Sequence, residues 1–142
     1  MTTATAQDTV PAGSLEDGRV VAIAGPVIDV EFPPHALPEI NHAVEFSIEL
    51  DGNTFVVTAE VAQQIGDGRV RCICMQQTDG LVRGAPVRNL GRGITVPVGN
   101  AVLGHVFNVL GQPLDTDSIE GIDDYWEIHR SAPAFDQLEP RA

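Results

Sequence analysis

Apolar and polar side chains alternate with a period of two from Arg19 to about Pro97, the pattern of half-buried strands and of an all-β unit. Helical periodicity is weak along the whole chain. The alternation predicts a first strand over residues 19–24, an interruption at Gly25-Pro26, and its resumption over residues 27–32. There Ile28, Val30 and Phe32 share one face, while Asp29 and Glu31 take the other and must meet solvent or a neighbour. Pro33, Pro34 and Pro38 then make an irregular connection, since proline fixes φ and lacks the ladder donor.

The clearest hairpin follows. Val44, Phe46, Ile48 and Leu50 alternate with Glu45, Ser47 and Glu49; Asp51-Gly52-Asn53 supplies the positive φ of a tight turn; Phe55, Val57, Ala59 and Val61 run back. Ile65-Gly66-Asp67-Gly68 turns the chain into a strand over residues 69–75, and Thr78-Asp79-Gly80 turns it into another over residues 81–90. Short strands with regular turns close most economically into a barrel, which leaves no open edge. The barrel is expected to end near Gly91-Arg92-Gly93. A domain this small buries only about 60% of its unfolded surface, so support from neighbours would help it.

After Ile94 the texture changes. Leu103, Val106, Phe107, Val109 and Leu110 are too few for a core, residues 115–124 are loose and acidic, and Pro133 and Pro140 punctuate an extended end. Exposed apolar surface is expected here, the usual mark of a missing partner. The pattern thus divides the chain into a tail (1–17), a barrel (18–92) and the beginning of a further domain (93–142).

Composition narrows the partners. Twenty acids against eight basic residues, all arginine, leave a net charge of −12, which repels phosphate backbones and disfavours nucleic acid and acidic membrane surfaces. No apolar run approaches the roughly 20 residues of a spanning helix, so direct membrane insertion is not expected. Residues 1–17 carry neither a basic residue nor an apolar core of a signal peptide, which fits a bacterial cytoplasmic protein with a mobile tail.

Candidate chemistry is sparse. Cys72 and Cys74, at i and i+2 of a strand, point the same way in poor disulfide geometry and read as reduced, partly buried thiols. His35, His42, His105 and His129 lack ligand spacing, so no metal site is expected. No nucleophile elbow, triad or carboxylate pair is visible, so no catalytic residue is assigned. The absence of lysine excludes a Walker A loop from these 142 residues, because that motif needs a lysine on the terminal phosphates; no cofactor is expected in the chain itself. Tyr125 and Trp126 beside Asp123 and Asp124 read as packing or loop anchoring rather than as a base-stacking shelf.

Five blocks in order carry a resemblance: GRVVAIAGPVIDVEFP (18–33), EVAQQIGDGRVRCI (60–73), TDGLVRG (78–84), ITVPVGNAVLGHVFNVLGQPLD (94–115) and IHRSAPAFDQLEP (128–140). Together they resemble the beta subunit of F-type ATP synthase, over nearly everything after the tail. The resemblance implies a small closed six-stranded β-barrel followed by an incomplete start of an α/β nucleotide-binding domain, with the phosphate loop lying beyond the last block. It implies alpha subunits as partners in an alternating ring, MgATP and MgADP as ligands of the parent enzyme, and a place peripheral to the bacterial plasma membrane in a proton-driven complex. Arg83, in the third block, is the residue to watch for an interface, although residues 79–84 also read as a plain hairpin turn. The rival reading is a free-standing barrel that binds a ligand or oligonucleotide. Phe46 and Phe55 sit among acids and aliphatics rather than basic residues, against an oligonucleotide.

Overall fold

The computed structural model describes residues 17–140. The expected mobile tail lies outside them, Asp17 apart. The described residues divide into two units, one ending at Ile94 and the other beginning at Thr95.

The first unit contains β1 (Gly18–Ala24), β2 (Val27–Glu31), β3 (His42–Leu50), β4 (Asn53–Gly66), β5 (Arg69–Cys74) and β6 (Pro86–Gly93). They close into a six-stranded barrel in the order β1-β2-β5-β4-β3-β6, all neighbours antiparallel. The seam between β1 and β6 holds only the pairs Gly18↔Val87 and Arg19↔Pro86. Two loop bonds extend it, the Val20 N–H to the Ala85 carbonyl (3.0 Å) and the Gly84 N–H to the Val20 carbonyl (2.8 Å).

Alternation decides what fills the interior. Val20, Ile28, Val30, Val44, Phe46, Ile48, Val57, Ala59, Val61, Val70, Cys72 and Val87 are buried in one cluster. Each buried valine or isoleucine contributes about 1.5–3 kcal/mol relative to exposure. The interior also takes the side chain of Asn89, whose Oδ1 accepts the Gly91 N–H at 2.9 Å.

Two connections cross the barrel ends. The proline-rich residues 32–41 cover one end, burying Phe32, Ala36 and Pro38, with the Phe32 N–H bonded to the Gly68 carbonyl at 2.8 Å. Residues 75–85 cross the other.

Three expectations are corrected. Residues 27–32 do not resume the first strand; β2 runs back along β1, with Ala24 opposite Val27. Gly25 has φ 61°, and glycine at the first central position of a two-residue turn, followed by proline with its fixed negative φ, reverses the chain. Residues 81–85 form loop rather than strand, because their backbone bonds go to Thr78, Val82 and Val20, and β6 begins only at Pro86. The strand begun at Arg69 ends at Cys74, one residue short, as Met75 turns away to bond Thr58.

In the second unit, β7 (Thr95–Val98) pairs antiparallel with β8 (Asp124–Glu127), and short 3-10 turns occupy Asn100–Val102 and Phe135–Gln137. Pro97 is its one buried residue among those described. Residues 104–111 form a turn built on Asn108, whose Oδ1 accepts the N–H groups of Leu110 and Gln112 at 3.0 Å each. The expected apolar exposure is present at Leu103, Val106 and Val109, whereas Phe107 and Leu110 are half-buried.

Candidate functional site

The outer wall of the barrel is held by ion pairs that cross from β2 to β5. Asp29 lies opposite Arg71 and Glu31 opposite Arg69, so the acids predicted to need a neighbour find arginines directly across the ladder. Arg71 donates two bonds to Asp29, Nε to Oδ1 at 2.8 Å and a terminal nitrogen to Oδ2 at 3.0 Å. This hydrogen bonding holds the Asp29 carboxyl below the usual carboxylate range. Arg69 bonds Glu31 at 3.1 Å, and Arg88 on β6 pairs with Glu45 on β3. Sequence reasoning missed these pairs; the signal was the matching i, i+2 spacing of acids and arginines, unreadable until the pairing of strands was known.

The two cysteines face the interior together. Both are free and buried; burial, with Cys74 and Asp29 nearby, pushes the Cys72 thiol up to about 12, and burial pushes Cys74 up to about 11. Thiols held so far from thiolate are poor nucleophiles. The histidines do not converge. His42 lies 3.6 Å from Glu39, and His105 Nδ1 is 2.8 Å from Asp115 Oδ2. Among the described residues no three of His, Cys, Asp and Glu form a metal-holding group. Trp126 anchors its own segment: its Nε1 donates to Asp124 at 3.0 Å, and the Arg130 guanidinium lies 3.5 Å from the ring centroid.

The surface with shape is at the end of the barrel where β3 joins β4. Asp51 and Gly52 have φ 51° and 78°, both positive as the tight hairpin turn requires, and Leu50 faces Asn53. The register continues Ile48↔Phe55 and Ser47↔Val56. Yet β6 pairs with β3 only from Glu45 downward, and β5 pairs with β4 only from Ala59 onward. Residues 46–57 therefore continue as a two-stranded arm, rooted by Phe46, Ile48 and Val57 in the buried cluster and exposed towards its tip at Leu50, Phe55 and Val56.

Its inner face carries Ile48, Leu50, Phe55 and Val57, and with Gln76 and Asp79 of the crossing loop they bound an open groove of about 430 Å³. Phe55 is 52% exposed and Val56 58%. Gly80 supports the floor: a Cβ there would lie 3.0 Å from Ile48 Cγ2. Arg83 is exposed in the same crossing loop, which Thr78 ties to the Gly25 carbonyl through its hydroxyl at 2.8 Å. Gln76 was invisible to sequence reasoning as well. Its side-chain oxygen accepts the Thr58 N–H at 2.9 Å, standing in for a strand that β5 no longer supplies.

The arrangement offers a wall bonded by cross-strand ion pairs, an apolar arm and, among the described residues, no convergent set of reactive groups. No helix among the described residues is long and apolar enough to cross a membrane. Residues 20–91, just over half of the chain and coincident with the closed barrel, match the family described as the ATP synthase alpha/beta family, beta-barrel domain, and the chain belongs to that family.

Proposed function

We propose that this chain is an N-terminal portion of a beta subunit of a proton-translocating ATP synthase, whose barrel joins alpha-subunit barrels in an alternating ring. The family description covers alpha and beta alike. The choice of beta is supported by the five ordered blocks, two of which, from residues 94 and 128, extend past the matched span. The observation that carries the reading is the closed barrel over the matched residues, with bonded ladders on its wall and an apolar projection at one end.

Physically, such a barrel is a collar. Its strands cannot slide without breaking a closed ladder, so it holds the attached domains at fixed spacing while they open and close. In this reading MgATP and MgADP belong to the complex, gripped by residues other than these 142, which contain no lysine for a phosphate loop. Membrane association would be peripheral, through partner subunits.

Size-exclusion chromatography of the purified chain with purified alpha subunit from the same organism tests this. Co-elution at a mass above either component is the expected result; independent elution at concentrations well above micromolar would remove the collar.

A further inference from the structure

We infer that the β3–β4 arm receives an extended, lysine- or arginine-bearing segment of a different chain, which adds as a strand beside Thr54 and Val56 and seats apolar side chains in the groove between Leu50 and Phe55. The inference deepens the collar reading and rests on it, since the partner tested is the alpha subunit.

The first support is backbone chemistry. Antiparallel ladders alternate, so residues 54, 56 and 58 point their N–H and C=O groups to the same side of β4. At Thr58 both are satisfied on that side, the N–H by Gln76 and the carbonyl by the Met75 N–H at 2.9 Å. At Thr54 and Val56 the same side has no partner among the described residues, because β5 ends at Cys74, opposite Ala59. An exposed edge beside apolar surface is the template for strand addition.

The second support is the groove. Leu50 and Phe55 are exposed on the face that the groove occupies, with the buried Ile48 and Val57 also lining it, and a strand added to a sheet places alternate side chains on one face, which here is the groove. A small molecule would leave the edge donors and acceptors unused.

Charge selects the partner. Among the described residues Asp79 is the one charged group lining the groove, and Glu49 and Asp51 stand at the tip of the arm. A second copy of a chain with net charge −12, offering the same acids, is repelled, whereas a lysine or arginine at the tip is attracted. The acids thus keep the edge from pairing with itself while leaving it open to a basic segment.

The test combines binding of the full 142-residue chain to immobilised alpha subunit with hydrogen–deuterium exchange of the complex. Val56→Pro removes an outward-facing N–H without touching the β3 ladder, and Asp79→Lys reverses the groove's charge at an exposed loop position. The expected results are protection at residues 53–57 on binding, a loss of affinity of roughly tenfold or more in each variant, and a flatter salt dependence for Asp79→Lys. Should Val56→Pro fail to fold by circular dichroism, Asp79→Lys and the exchange data decide alone. Wild-type binding that leaves 53–57 unprotected, with both folded variants unimpaired, overturns the docking site and leaves the collar standing. Absence of wild-type binding overturns the collar and this inference with it. Self-association of the chain through the arm, seen by analytical ultracentrifugation and abolished by Val56→Pro, overturns the choice of partner.

Discussion

Cys72 illustrates how one side chain's surroundings set its chemistry. A thiol whose folded-state pKa is raised keeps its proton when the unfolded chain would lose it, so it favours the folded state fully below pH 9. That contribution is lost as pH rises from about 9 towards 12. Native protein at pH 8 should therefore react with an aromatic disulfide reagent at neither cysteine on the timescale that labels both in denaturant, and the urea midpoint should fall above pH 9. Asp29 has the opposite sign. Its depressed pKa means that its contribution is present above about 3.8 and is lost as pH falls through the folded value. Asp29→Asn should lower the urea midpoint at pH 7, and the gap between variant and wild type should narrow as pH falls below about 3.8. That both cysteines share one face was legible from their i, i+2 spacing; the arginine that holds Asp29 was not, because it is 42 residues away in sequence.

At the scale of elements, glycines separate two kinds of constraint. Gly52 sits at φ 78° with open space around its Cβ position, so Gly52→Ala pays only for backbone conformation, about 1 kcal/mol. Gly18 meets the β2 strand: an added Cβ would lie 2.7 Å from the Glu31 carbonyl and 2.8 Å from the Phe32 ring. Gly18→Ala should cost about 1–3 kcal/mol by overpacking, more than Gly52→Ala, as chemical denaturation of both variants would measure. The turn at Asp51-Gly52 was readable in the sequence because its residue types match one turn geometry. The turn at Gly25-Pro26 was misread, since glycine-proline can bend a strand or reverse it and only pairing with β1 distinguishes the two. The 81–85 stretch misled for a related reason: its apolar residues suit a strand, but its backbone bonds are claimed by the barrel seam.

At the scale of the whole molecule, the two units differ in how much they bury. The barrel encloses a continuous apolar cluster, while the unit from Thr95 onward exposes Leu103, Val106, Val109, Leu114 and Phe135, the last at 90%. Hydrogen exchange should show a slow cooperative set in β2, β5 and the barrel-paired parts of β3 and β4, and fast exchange across residues 115–123. Equal protection in both regions would contradict this difference. The sequence alone determined the period-two strands, most of the turns, the apolar interior positions and the family likeness, because alternation and turn chemistry are local properties of a few adjacent residues. Only the tertiary structure decided which strands are neighbours, how acids and arginines pair across them, and that β5 and β6 stop short of the β3–β4 arm. Those follow from closing a ladder between residues far apart in the chain, where a single change of partner or register relocates every contact on a face.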